Sequence, residues 1–346
     1  MKLTDWINLG LLGIALLILW QFRQIVLLIF AAVVLTTALN SLVRRFVNVY
    51  GWRRDRSLLV TAALVLLGGF LFLWLILPLF IDQFQELLDL LPKGFEKLVT
   101  WFEQLQANPP EWFPSSDVQL VPDLANLLQQ MTTIGSRVFG NFLTFFSNSV
   151  VILLQVLLLT VLTLMILVNP LAYRRLLLRL FPSGYRQRAD DILNRCEAAL
   201  LSWLGGVAFS SLFVATLSFI GLLLLGVPYA FAHAVLAGLF NFIPNLGPTL
   251  SAIFPIFVAF LQSPGKAALV VILYVLIQNL ESYWFTPMAM QKQVALLPAA
   301  TLIAQIFFAT FLGPLGLILA LPLAVVSKTW IEEAWIKDGL DCSPGS

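Results

Sequence analysis

Residues 225–260 read LGVPYAFAHAVLAGLFNFIPNLGPTLSAIFPIFVAF, a run with four prolines and no Asp, Glu, Lys or Arg. Its first arm, Tyr229 to Ile243, has 15 residues. As a helix that is about 22 Å, against a hydrocarbon core ~30 Å thick. Such an arm does not cross a bilayer comfortably. A Gly247-Pro248 turn and a second arm containing Pro255 follow. Two short arms joined by a Gly-Pro turn predict a re-entrant helical hairpin, which enters and leaves by one face. Non-helical backbone at that depth is tolerated only when buried in protein or lining a water-filled cavity. Ordinary packed helices kinked by Gly and Pro are the alternative.

The order recurs farther along. Pro228, the Gly247-Pro248 turn and Pro255 are matched by Pro298, a Gly313-Pro314 turn and Pro322. The second copy's first arm, Ala299 to Leu312, has 14 residues, roughly 21 Å as a helix. Counting crossings, the first hairpin enters from outside and the second from inside. An inverted repeat with both tips near the midplane is the arrangement in which secondary transporters build a substrate site.

Composition supports lipid as the solvent. The chain has 346 residues, 60% apolar and 11% charged, where a typical soluble domain is ~45–50% apolar and ~25% charged. An ordinary soluble enzyme is excluded. The net charge of +2 gives no argument for nucleic acid, which is not an expected partner. Two distant cysteines, Cys196 and Cys342, and one histidine, His233, offer neither a disulfide framework nor zinc spacing. No metal site or cofactor is expected.

Working outward, apolar blocks predict spans within Trp6–Val43 (a tight pair), Leu58–Leu79, Val150–Val168, Trp203–Leu225 and Ala267–Leu280. The expected fold is an all-α integral membrane protein with about six full transmembrane helices plus the two hairpins. Arg44–Arg56 has five arginines and one acid, and 169–202 has six arginines. Both are expected in the cytoplasm, because Lys and Arg in short loops prefer it. Eight acids and three bases between Ile81 and Ser147 place that stretch outside. It is not a plain loop. Phe84, Leu87, Leu88, Leu91, Phe95 and Leu98 recur at helical spacing, as do Leu124, Leu127, Met131, Ile134, Val138 and Phe142, with the turn NPPEWFPSSD between. Packing on the protein's own outer face and partner binding are both open readings. The expected division is N-terminal spans (1–80), outer amphipathic segment (81–147), span and cytoplasmic linker helix (148–202), hairpin-bearing transport core (203–330) and cytoplasmic tail (331–346). On the linker helix Asp191 and Arg195 are spaced as an ion pair.

Glu281 lies deepest along an apolar stretch, in VLIQNLESYWFTP, among Gln278, Asn279 and Ser282. A carboxylate at membrane depth is costly and by default a functional candidate, able to trade a proton for a cation or substrate group. Its structural alternative is a pair with Lys292 or a backbone N–H near the interface. Asn241 and Asn245 flank the first turn, where amides beside freed carbonyls can hold small polar solutes. With Gly247, Pro248, Gly313 and Pro314 they complete the candidate substrate or ion path. Ser210 and Ser211 either line that path or bond back to their own helix. His233 reads as a satisfied packing residue more readily than as a proton carrier. SPGKAA, Ser263 to Ala268, lacks the upstream glycine and the following Ser or Thr of a phosphate-binding loop. ATP-driven pumping is therefore disfavoured. No nucleophile-base spacing marks a catalytic residue.

The series LGVP, IPNLGP, QNLE, TP, LLP and GPLG-to-LP resembles the C-terminal core of the autoinducer-2 exporter family of bacterial permeases. The resemblance covers nearly the whole chain. The chain departs from the family's pattern at Asn245, usually an aromatic position, and at Gln291-Lys292, commonly Gly-Lys. The resemblance implies a multi-pass inner-membrane transporter that forms a homo-oligomer, with a pentamer as one candidate stoichiometry. Members are associated with autoinducer-2 export and others with sodium or lithium for proton exchange. The leading function is a secondary transporter or exporter of a small polar solute. A cation/proton antiporter using Glu281 is the second reading, and a membrane scaffold is the alternative from another class. Membrane lipid and the transported solute or cation are the expected partners.

Overall fold

The computed structural model describes residues 17, 20–107, 149–243, 246–285 and 298–340, and among these the chain is helical throughout with no strand. The helices are α1 (Arg23–Tyr50), α2 (Arg54–Leu71), α3 (Leu77–Ala107), α4 (Ser149–Val168), α5 (Pro170–Leu178), α6 (Arg186–Leu224), α7 (Ala230–Phe240), α8 (Leu246–Gln262), α9 (Pro264–Leu280), α10 (Pro298–Ile318) and α11 (Ala320–Trp330). Wider π-turns at Phe72–Ile76, Glu281–Phe285 and Ile331–Leu340 continue α2, α9 and α11. Among the described residues, five helical stretches are by length and composition sufficient to cross a membrane, or six if the bent pair α4 and α5 is one span. The protein is an all-α, multi-pass membrane protein. Leu66, Leu67, Phe70 and Trp74 project outward, as expected where lipid and not water is the solvent.

Local chemistry sets the breaks. Gly51 ends α1 in the left-handed conformation and returns its N–H to Val47. Gly226, at φ 65°, ends α6 with Val227 N–H on the Leu222 carbonyl at 3.0 Å, the bond pattern that a glycine at this position permits. Ser263 caps α9 by accepting from the Lys266 N–H, with Pro264 in the first turn. Pro170 has no N–H to donate; α4 stops at Val168 and α5 departs at 88°.

The contacts divide the described residues into two compact units, one from those within 1–66, 154–205 and 290–346, the other from those within 67–153 and 206–289. In the second unit Phe80, Phe84 and Leu87 of α3 share a core with Leu222, Leu236, Phe254, Val258 and Val270. Phe84, Leu87 and Leu98 of the apolar stripe in the acidic stretch thus pack on the protein itself. Lys97 donates to the Leu261 carbonyl at 2.6 Å, in the last turn of α8, where a cation is favoured. The later stripe, Leu124 to Phe142, lies outside the described residues.

In the first unit Val34, Ala199, Leu200 and Val325 join α1, α6 and α11, and the Thr36 hydroxyl donates to the Thr163 carbonyl at 3.1 Å. Arg195 pairs with Glu333 at 2.7 Å. The expected Asp191–Arg195 pair does not form there, because a buried carboxylate on another helix outcompetes an exposed neighbour on the same one. Arg188 at 3.1 Å and Lys337 at 2.6 Å complete the ring around Glu333.

Candidate functional site

Both hairpins have a glycine at a point of close backbone approach. In the second unit α7 and α8 are 11 and 17 residues long, short of a full span. A Cβ on Gly247 would overlap the Phe240 carbonyl oxygen, seven residues earlier. In a straight helix those residues lie about 10 Å apart, so the chain doubles back here and the returning arm rests on bare backbone. Gly247 and Pro248 are both buried.

In the first unit α10 continues through Gly313, whose φ of 72° and ψ of −158° are not helical. A Cβ on Gly316 would overlap the Phe308 carbonyl oxygen, eight residues earlier. The chain therefore also doubles back at Gly313-Pro314. The predicted Gly-Pro turns are present in both copies, but the close-approach glycine follows different spacing: Gly247 itself in one, Gly316 in the other.

Asn241, the residue that ends α7 in the first hairpin's first arm, is buried. Its side-chain N–H donates to Ser210 Oγ at 3.0 Å. Ser210 in turn donates to a carboxylate oxygen of Glu281. Three helices of the second unit, α6, α7 and α9, thereby converge on one relay of amide, hydroxyl and carboxylate. The register agrees along the helices. Val214, Ala237 and Ile277 form the next layer, four residues on from Ser210 and four back from Asn241 and Glu281. Gly238 lies against Ala215 and the Ser211 carbonyl, close enough that a Cβ would stand 3.0 Å from the Ala215 methyl.

The other sequence candidates are placed less centrally. Gln278 is half-buried, Asn279 is exposed and returns its amide to the Val275 carbonyl at 2.8 Å, and Ser282 is exposed. Gly313 and Pro314 belong to the other unit. Asn245 lies outside the described residues, as does Lys292, the alternative partner of Glu281. Ser210 is the residue whose position was not legible. A serine in an apolar helix gives no sign of which neighbour it will bond, and only the register of three helices reveals it. In the first unit Thr301 and Gln305 are buried one turn apart on α10, a polar pair that residue spacing did not single out.

His233 is fully buried, and neither ring nitrogen has a hydrogen-bond partner among the described residues. It is a packed residue, and no described residue satisfies it.

Among the described residues no cluster of three or more His, Cys, Asp or Glu could hold a metal. The relay offers a different chemistry: a carboxylate, a hydroxyl and an amide at a helix break can exchange partners with hydroxyls of a neutral solute or coordinate a small cation.

Comparison with known proteins agrees with this architecture. Residues 9–335 match the sequence model described as the AI-2E family transporter. The putative transport protein YueF of Bacillus subtilis is 28% identical over 254 residues, 73% of this chain and 66% of that one. The putative transport protein YhhT of Escherichia coli K12 is 24% identical over 310 residues, 89% of this chain and 83% of its own length. The AI-2 transport protein TqsA of Escherichia coli K12 is 33% identical over 110 residues, 32% of each chain.

Proposed function

The chain belongs to the AI-2E transporter family, and from that membership we propose that it is a secondary transporter exporting a small polar solute through the relay of Asn241, Ser210 and Glu281. The single observation that carries the reading is the convergence of these three polar side chains beside the tip of a short-armed hairpin. Membrane-buried polar groups are costly and are kept where they serve a pathway. Similarity to a relative named as an AI-2 transport protein makes a solute of the autoinducer-2 class the first substrate to test.

In this reading residues 203–330 form the transport core. Asn245, Gln278, Asn279 and Ser282 extend the path around the first tip, and Gly313 and Pro314 provide the counterpart in the inverted hairpin. The arginine-rich segments 44–56 and 169–202 face the cytoplasm with both termini, in the inner membrane. The working form is a homo-oligomer.

The test is uptake and efflux in proteoliposomes holding the full chain, screened across small polar solutes with and without a proton gradient. A solute moved by wild type and not by Asn241→Ala or Glu281→Gln supports the reading. Flux unaffected by either substitution overturns the assignment of the site.

One observation favours a second reading, sodium or lithium for proton antiport. The relay ends on a carboxylate, the group that can trade a proton for a cation. An imposed sodium or lithium gradient that moves no protons removes antiport. Absence of any flux, with wild-type assembly of a partner complex, would favour the scaffold instead.

A further inference from the structure

The bend at Pro170 presents a helix of unusual composition. α4 is an apolar helix of 20 residues, and α5, PLAYRRLLL, leaves it at 88°. With α4 along the membrane normal, α5 lies in the plane of the surface. One face of α5 is held by protein: Arg174 donates to Asp190 Oδ1 at 2.6 Å and to Asn194 Oδ1 at 2.7 Å, both on α6. At about 100° per residue, the opposite sector contains Ala172, Tyr173, Leu176 and, in the turn that follows, Leu180. Leu176 is 63% exposed and Leu180 79%. Arg175 and Arg179 stand side by side on the border of that sector. Both are exposed, and neither forms an ion pair with any described residue. Arg175 only returns its Nε–H to the Leu171 carbonyl at 3.2 Å.

An apolar face with an adjacent cationic edge, lying across the end of a transmembrane helix, has the chemistry of an interfacial helix. We infer that Arg175 and Arg179 bind the headgroup phosphate of an anionic glycerophospholipid while Leu176 and Leu180 enter its acyl layer. The charge complementarity commits the face to lipid: a headgroup phosphate answers the two unpaired guanidinium groups and acyl chains answer the leucines beside them, and a second copy of this chain is an outcome the test separates. Arg174 then acts as the inner pin that ties this lipid-bound helix to α6.

The test uses the full chain in nanodiscs of phosphatidylcholine alone or mixed with phosphatidylglycerol. Native mass spectrometry reads retained lipid, and spin labels at positions 176 and 180 in a Cys196→Ser/Cys342→Ser background read depth from oxygen accessibility. The expected result is preferential retention of phosphatidylglycerol and oxygen-accessible labels. The double variant Arg175→Gln/Arg179→Gln loses that preference by about tenfold or more, given the attraction of each basic residue to an anionic surface, and Arg175→Lys/Arg179→Lys retains it. Two results overturn the inference: an unchanged preference in the Gln pair, or labels shielded from oxygen, which assigns the face to another copy of the chain. The depth reading needs no arginine substitution and stands even if the Gln pair fails to fold.

Discussion

Ser210 donates its hydroxyl to Glu281, 71 residues away on a neighbouring helix. Hydroxyls elsewhere in the apolar helices behave differently: Thr160 on α4 bonds back to the Val156 carbonyl and Thr216 on α6 to Leu212, each four residues earlier. That local bond is the ordinary resting place for a hydroxyl in an apolar helix. Ser210 instead receives from Asn241 and gives to Glu281, so it polarises in one direction and couples the hairpin tip to the carboxylate.

Removing the bridge should therefore separate the two ends. Ser210→Ala leaves the Glu281 carboxylate and the Asn241 amide each short of a partner, a loss of about 1.5–3 kcal/mol for a hydrogen bond to a charged group. Transport is expected to fall by roughly tenfold or more on that scale, with Ser210→Thr recovering part of it. Initial rates in proteoliposomes, normalised to reconstituted protein, check the order.

The hairpin tips give a packing prediction. Gly247→Ala and Gly316→Ala each drive a methyl into a backbone carbonyl, that of Phe240 and of Phe308, and backbone cannot yield as a flexible side chain does. Each should lower the thermal midpoint and the flux. Gly205→Ala is the control: it lies within α6 with open space around it, and should be neutral or stabilising by up to about 1 kcal/mol. Scanning fluorimetry in detergent distinguishes the three.

Much of this was legible in the residues because the bilayer imposes strict lengths. A 15-residue arm before Gly247-Pro248 could not be a comfortable span, and the chain does double back there. Spans at Val150–Val168 and Ala267–Leu280 fall inside α4 and α9 for the same reason. Side-chain pairing was not legible. Asp191 and Arg195 fit a helical pair by spacing, yet Arg195 reaches Glu333, 138 residues distant, a choice fixed only by how α6 meets the C-terminal helix. Asn279 and Ser282 shared an apolar helix with Glu281, but the helix turns them outward.

Glu333 should make the C-terminal turn pH-sensitive. The hydrogen bond from Lys337, aided by the charges of Arg195 and Arg188, holds its carboxyl below the ordinary 4.5. A carboxyl depressed on folding contributes stability above its unfolded value and loses it as pH falls through the folded one. Protection of Ile331–Leu340 in hydrogen exchange should decline below about pH 4.5. In Glu333→Gln it should be weak already at pH 7, with a loss on the order of 1 kcal/mol because the cations are partly solvated.

Cys196 should be inert while the fold holds. It is buried where α6 meets Thr329, and that burial pushes its thiol up to about 11 despite the Thr329 contact. The reactive thiolate is then scarce at neutral pH. In a Cys342→Ser background, maleimide labelling at pH 7.5 should be at least tenfold slower than after denaturation, a margin the raised value alone supplies.

His233 makes the sharpest separation between packing and transport. It lies eight residues before Asn241 on α7, as Ser218 lies eight residues after Ser210 on α6 and Tyr274 seven before Glu281 on α9, so the antiparallel register sets all three at one level below the relay. His233 and Ser218 are fully buried, and no hydrogen bond to a described residue engages either His233 nitrogen. An unsatisfied buried polar group costs about 1–3 kcal/mol. His233→Leu removes it and should keep or raise the thermal midpoint while leaving flux unchanged. A lowered midpoint would instead mean that water bridges His233 to Ser218 and Tyr274, since removing a well-bonded internal water is costly. A loss of flux at an unchanged midpoint would extend the transport path one layer beyond Asn241, Ser210 and Glu281.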